Sequence, residues 1–532
     1  MKNKTEKLLI LIILITISLI IFHKDKLYDA VYEEPKDSFL AITINGDIST
    51  TFPTSKYYET SVSCTSGTGK VEWNGSKWVL MTSGITKGST KCNATFSPLN
   101  FKGTILANNQ VKNPVTTPGI EVNGHTLDDI TYTSNASLAT KYRSYYYTYG
   151  TGWTANGTGF NLTGATVSGT YTNSYSTLVG KYLPAVSEHF NKNDFSSSSY
   201  SMKTTTNLNS VYYVVSATST GFKYKKLTSN KNVTEAELAS TTDDYGTSYY
   251  FRGAVKNNYV QFANKCWRIV RINGNDSVKI VLHNDNTSNV TNPCAAANNN
   301  PEAAFAHYDG STYESTFNSN NTDNTYMGFM YGTAGASSYA SAHANTNKSE
   351  ALTNLETWYK NNMTSYTNKL ADTIWCNDKS MTSGNLGYGT NSTNYGAYNR
   401  LITSKTPSLK CPNDSNGGKL SKFTVSDTTN GNGALTYKVG LLTADELVFS
   451  GLAPDKYNIT TYLQENSTDR SWVSLSPYIY DSDGAFIWFV SSSGDFTGGG
   501  VYNSVGLRPA VSLVSSTMVT GSGTSSDPYI VK

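Results

Sequence analysis

Cys266-Trp-Arg-Ile-Val-Arg-Ile272, Asn273-Gly-Asn-Asp276 and Ser277-Val-Lys-Ile-Val-Leu282 follow one another without a break. The outer runs are β-branched and aromatic, and Asn-Gly at the centre is the strongest short hairpin signal. The segment reads as strand, turn and strand. The same grammar recurs outward along the chain. Lys70–Met81 holds Val-Glu-Trp, Asn-Gly and Lys-Trp-Val-Leu-Met, a second hairpin. Phe39-Leu-Ala-Ile-Thr-Ile-Asn-Gly46 is a strand that ends in an Asn-Gly turn. Ser210–Ala217 and Gly221–Leu227 add two strands, and Phe486–Val490, Val505–Leu513 and Tyr529–Val531 add more.

Helices are few. Ser349 is placed to cap a helix on which Leu352, Leu355, Trp358, Tyr359 and Met363 share one face. Thr443-Ala-Asp-Glu446 is a capping box, and Gly451 is a stop just past Leu447–Ser450. Leu178–Phe190 reads as a further short helix interrupted by Pro184. The expectation is a mainly β, multidomain protein. A signal anchor and stalk occupy 1–37, and a small β-domain of immunoglobulin-like outline occupies 38–98. A second β-rich region covers 99–242, and an α+β domain covers 243–532.

The N-terminus sets the compartment. Lys2, Lys4 and Lys7 precede an apolar run from Leu8 to Phe22, which His23-Lys24-Asp25-Lys26 closes. That order is an export signal. At ~1.5 Å per residue the run makes a helix of about 22 Å, short against a bilayer core of about 30 Å. No Ala-x-Ala cleavage pattern follows it. The expectation is an uncleaved, single-pass transmembrane helix through residues 8–22 with the C-terminus extracellular; the alternative is a cleaved signal.

Composition narrows the function classes. Only 15% of the 532 residues are charged, and the net charge is +3 with Lys and Arg scattered. That argues against a nucleic-acid partner. The 38 Tyr, 19 Phe and 8 Trp argue against a disordered chain. Cys64, Cys92, Cys266, Cys294, Cys376 and Cys411 are even in number, with no C-x-x-C spacing. In an exported chain they read as disulfides. Sequence-local pairing gives Cys64–Cys92, Cys266–Cys294 and Cys376–Cys411. Only the first is isolated in its own segment; the others stay open, as do free buried thiols.

No motif carries catalysis. Lys70 follows Gly67-Thr-Gly69 but lacks the rest of a phosphate loop. His283, His307 and His343 have no metal-ligand spacing and read as chance surface residues. Asp481-Ser-Asp483-Gly484 is half a calcium loop, so Asp481 and Asp483 are weak metal candidates beside a plain turn. No cofactor is expected. Tyr478, Tyr480 and Tyr502 border Ser, Asp and Gly turns and are the ligand-binding candidates. Trp472 and Trp488 read as core. A fallback site is the polar stretch between Asn284 and Asn347.

Six segments carry a resemblance. Tyr249–Val260, Cys266–Ile272, Trp375–Asp378, Gly440–Leu447, Ser471–Pro477 and Gly506–Leu513 stand in that order. Together they resemble a family of uncharacterised bacterial surface proteins from gut Gram-positive lineages. The terminal Trp, Ser-Pro and Gly-Leu-Arg-Pro pattern is similar to the C-terminal segment of C-type-lectin-like domains. That group includes formylglycine-generating enzymes and the variable proteins of diversity-generating retroelements. The resemblance implies a C-terminal C-type-lectin-like domain, with Tyr478–Tyr502 as irregular turns on a packed sheet. Arg508 then holds the turn beside it. No Cys follows Cys411, so the formylglycine chemistry is not implied. The expected function is a membrane-anchored cell-surface protein that binds or adheres to an extracellular protein or glycan, without catalysis. The alternative is an extracellular enzyme such as a glycan hydrolase. Its carboxylate pairs, Asp445 with Glu446 and Asp481 with Asp483, read instead as a helix start and a turn.

Overall fold

Lys265–Ile272 and Val278–Asn284 pair antiparallel, with Ile272 opposite Val278, Ile269 opposite Ile280 and Trp267 opposite Leu282. The computed structural model describes residues 39–86, 89–112, 236–454, 461–467 and 469–532, and strands between 126 and 228. At the hairpin turn the left-handed residue is Asp276, with φ of 68°. Gly274 serves a different need. A Cβ there would lie 2.3 Å from the Gly246 nitrogen and 2.6 Å from Asp243 Oδ1. The glycine permits close approach of the neighbouring hairpin, Ala236–Asp243 with Gly246–Gly253.

Both strands of the central hairpin are buried along their whole length. They sit inside the largest sheet. Its path runs Val519–Thr520, Tyr529–Val531, Tyr259–Phe262, Lys265–Ile272, Gly246–Gly253, Ala236–Asp243 and Val111–Lys112, and Val278–Asn284 joins Lys265–Ile272 to Ala510–Leu513. A second sheet is built on Trp472–Asp481, Gly484–Val490 and Phe496–Gly500. Helix Glu350–Asn362 covers the core. Ser349 Oγ accepts from the Leu352 N–H at 3.1 Å, and Leu352, Leu355, Trp358 and Tyr359 are buried. Trp358 packs edge-on against Trp267, with centroids 6.1 Å apart. Each such side chain contributes about 1.5–3 kcal/mol by leaving water. The capping box forms as read: Glu446 N–H donates to Thr443 Oγ1 at 3.1 Å and Thr443 N–H to Glu446 Oε2 at 3.0 Å.

The chain divides into two compact units, Met1–Gln110 and Val111–Lys532. The first has a sheet in the order Asp47–Ser49, Phe39–Ile44, Lys91–Pro98, Tyr58–Cys64, beside the hairpin Thr68–Trp73 with Trp78–Ser83. Leu40, Ile42, Val71, Trp78, Leu80 and Phe96 form its core. Asn45 and Gly46 have φ of 52° and 88°, the two left-handed positions of a type I′ turn. Helix Phe101–Asn108 lies within this unit.

In the second unit Ser210–Thr218 and Gly221–Thr228 pair as a hairpin. Tyr182–Pro184 is a strand paired with Ser210–Thr218, which overturns the helix read over Leu178–Phe190. Pro184 lacks an N–H and opposes a helix interior. The expected transmembrane run Leu8–Phe22 lies outside the described residues. Among the described residues no helix is long and apolar enough to cross a membrane.

All three sequence-local disulfides are formed: Cys64–Cys92, Cys266–Cys294 and Cys376–Cys411. Two of the three histidines are not on the surface. His283 and His343 are fully buried. Burial pushes His283 well below its ordinary range, and burial with Lys379 nearby pushes His343 down to about 3. Both stay neutral in the fold but charge when unfolded. The unfolded chain therefore binds more protons, and stability falls as pH drops below about 6.5. Denaturant midpoints measured from pH 7 to pH 4 should decline steadily.

Candidate functional site

A concavity begins where Val278–Asn284 ends. A cleft of about 570 Å³ is lined by residues of Asn284–Ser311. Its shape comes from asparagines that staple the loop to itself. Asn286 N–H donates to Asn284 Oδ1 at 2.8 Å, and Val290 N–H to Asn286 Oδ1 at 2.8 Å. Asn284 Nδ2 reaches the carbonyls of Pro293 and Asn298 at 3.1 and 3.0 Å. Asn298 Nδ2 donates to the Asn292 carbonyl at 2.7 Å. Asn286 is left-handed, with φ of 55°, a conformation Asn tolerates better than most residues. The Cys266–Cys294 disulfide ties the loop to the central strand. These bonds replace secondary structure, so the loop is held without a core of its own.

Behind the cleft lies Asp285. Its Oδ1 accepts from Trp358 Nε1 at 3.0 Å and pairs with Lys265 Nζ at 2.8 Å. Its Oδ2 accepts from the His307 backbone N–H at 3.0 Å and contacts His307 Nδ1 at 3.2 Å. The Phe305 carbonyl is 3.1 Å from the same Nδ1. Two acceptors facing Nδ1 place a proton on that nitrogen. His307 is a lining residue, as is Glu302. Arg470 binds Glu302 at 2.7 Å and donates to the Tyr313 hydroxyl at 3.1 Å. The hydrogen bond from Arg470 holds the Glu302 carboxyl below the ordinary range. Exposed Thr287, Ser288, Asn299 and Ser311 add hydroxyl and amide groups.

A second polar cluster is buried. Arg271 pairs with Glu446 at 2.8 Å and with Asp243 at 2.5 Å, and Lys279 pairs with Glu446 at 2.6 Å. Arg400 grips Asp445 through Nε and Nη2 at 3.0 and 2.8 Å, and Asp378 at 2.8 Å. The adjoining cavity is only about 20 Å³, room for about one water. This is a network of buried ion pairs. Burial alone would raise the Glu446 carboxyl; Lys279 and Arg271 outweigh it and hold it at about 2. Asp445 and Glu446 thus do more than start a helix.

The three tyrosines do not form a common exposed face. Tyr480 is buried, and its hydroxyl donates to the Thr322 carbonyl at 2.9 Å. Tyr478 is half-buried, edge-on to Trp488 at 4.7 Å and to Tyr398 at 5.0 Å. Tyr502 alone is exposed, at 51%. The expected irregular turns are instead regular strands. Gly498-Gly-Gly500 makes room for the tyrosine rings on these strands. A Cβ on Gly498 would meet the Tyr478 ring at 2.3 Å, and one on Gly500 would meet the Tyr502 ring at 2.6 Å. Bare backbone there makes slots that aromatic rings fill. Tyr480→Ala should destabilise by about 3 kcal/mol and Tyr502→Ala by under about 0.5 kcal/mol in urea unfolding.

Asp481 and Asp483 sit at the turn between two strands, where Asp483 N–H donates to Asp481 Oδ1 at 2.9 Å. Gly484 follows with φ of 113°. The pair makes a turn. Among the described residues no three His, Cys, Asp or Glu side chains cluster to hold a metal ion. Trp472 and Trp488 are buried. Arg508 is buried too, and its Nε donates to the Leu282 carbonyl at 2.8 Å, so it braces the core. No family model, curated protein or solved structure matches the chain.

Proposed function

We propose that this is an exported cell-surface binding protein whose Asn284–Ser311 cleft takes a neutral, polyhydroxylated ligand, the chemistry of a surface glycan. One observation carries the reading: the cleft is about 570 Å³, and amide and hydroxyl side chains make up most of its polar lining, beside Glu302 and His307. Sugars are recognised by such groups, which both donate and accept. The lining includes a single carboxylate, Glu302, which Arg470 already neutralises. Hydrolysis of a glycoside would call for two carboxylates flanking the scissile bond. Asp285 is committed to Lys265, Trp358 and His307 behind the wall. Binding is therefore favoured over the hydrolase alternative.

Export is supported by the disulfides, which persist in oxidising compartments. The Lys-flanked run 8–22 would anchor the chain in the membrane, with the immunoglobulin-like unit as a spacer. The second unit, from the resemblance of its terminal segment, is read as carrying a C-type-lectin-like domain. The ligand surface moves from the tyrosines to the cleft, because Tyr480 is core.

The test is a printed glycan array probed with the full chain purified in mild detergent. Selective binding to a neutral glycan is expected. Ser311→Ala should weaken it about five- to tenfold, near 1 kcal/mol per hydrogen bond, with an unchanged unfolding midpoint. Ser288→Trp should fill the cleft and abolish binding. Undiminished binding by a folded Ser288→Trp protein would place the site elsewhere.

A further inference from the structure

Lys379 is a fully buried lysine with an unusual pair of partners. Its Nζ donates to the Met330 carbonyl at 2.8 Å and to Oδ1 of Asn345. The Phe423 ring centroid is 5.1 Å away, and Phe329 and Phe423 are themselves fully buried. Among the described residues the other buried lysines are ion-paired, Lys265 with Asp285 and Lys279 with Glu446. Lys379 faces a carbonyl and a carboxamide instead. The carboxylate whose field reaches it, Asp414, is occupied by the N–H groups of Asn416, Gly418 and Leu420 at 2.8, 3.1 and 2.9 Å. An ammonium without a close counter-charge in such a place is expensive, and the free amine is favoured.

Both reactants are held. Asn345 Nδ2 donates to the Leu420 carbonyl at 3.2 Å, and the Asn345 backbone is left-handed, with φ of 57°. The Lys379 N–H donates to Ser421 Oγ at 2.9 Å, and the Lys379 carbonyl accepts from the Tyr339 hydroxyl at 2.5 Å. Residues 420 and 421 thus fix the two partners against each other. Fixed contact between the Lys379 amine and the Asn345 carboxamide replaces the entropy cost of a bimolecular reaction.

We propose that Lys379 and Asn345 join in an intramolecular amide cross-link. The Lys379 amine attacks Cγ of Asn345, a new Nζ–Cγ bond forms, and the Cγ–Nδ2 bond breaks. One Nζ proton passes to Nδ2, which leaves as ammonia. Atoms and charges balance without an oxidant or cofactor. The bond would tie the segment around Asn347–Lys348 to the Trp375–Cys376 side of the domain, where Cys376–Cys411 already braces it. Unlike the disulfides, it would survive reduction.

Peptide mapping of the reduced, alkylated full chain tests this. Trypsin should yield one branched species joining 280–348 to 370–400, lighter than the sum by one ammonia, because a modified Lys379 is not cleaved. Asn345→Ala should abolish the branched species and release 370–379 and 280–348 separately. Recovery of those two peptides unlinked from the wild-type chain, with Lys379 cleaved normally, would overturn the proposal. The wild-type map decides the matter even where a variant fails to fold.

Discussion

Glu446→Gln should cost about 3–5 kcal/mol of stability, the usual penalty for removing one partner from a buried ion pair. Glu446 Oε1 receives both Arg271 and Lys279, and Glu446, Arg271 and Lys279 are all buried. A glutamine keeps the helix cap, because Gln serves equally at that position of a capping box. The loss therefore reports charge and not helix capping. Adding Lys279→Met should restore part of it, since one of the stranded cations is then gone. Urea titration of the full chain, followed by tryptophan emission, measures both. The same carboxyl gives a sign for acid. Its folded value lies near 2, below the ordinary 4.5. Its stabilisation is present above about pH 4.5 and is lost as pH falls towards 2. A change under about 1 kcal/mol for Glu446→Gln would mean that the network is wet.

The second large effect belongs to the first unit. Replacing Cys64 and Cys92 together by Ala should destabilise it by about 3–4 kcal/mol, the chain-entropy value for a loop of that length; the two lie 28 residues apart. The core there is small, built on Leu40, Ile42, Val71, Trp78, Leu80 and Phe96. Small domains have little stability to spare. Limited proteolysis should therefore cut the variant within 39–110 while leaving 236–532 resistant. Equal resistance of both regions would show that the core suffices without the bond.

Much of the fold was legible because its signals are local. The hairpin at Ile272–Val278, the Thr443 box and the Ser349 helix each rest on residues within a few positions. The three disulfides are local as well. What stayed hidden depends on what lies across the sheet. Arg268, Arg271 and Lys279 stand as charged residues within mostly apolar strands. They are buried because partners arrive from far along the chain, Glu446 for Arg271 and Lys279, and Glu465 for Arg268 at 2.6 Å. Tyr480 looked like a turn residue, yet its hydroxyl is anchored on the Thr322 carbonyl in the long polar stretch. The cleft was hardest to see. Asn284, Asn286 and Asn298 look like low-complexity filler, and only the hydrogen bonds reveal that they shape a wall. The fallback stretch between Asn284 and Asn347 did contain it, but composition offered no reason to prefer its first part.

The central claim is that ligand enters the Asn284–Ser311 cleft. Hydrogen–deuterium exchange of the full chain, with and without a glycan selected on the array, tests it most directly. Slower exchange confined to peptides within 284–311 and the Arg470 segment is the predicted result. Slower exchange across Tyr478–Tyr502, with 284–311 unchanged, would contradict it.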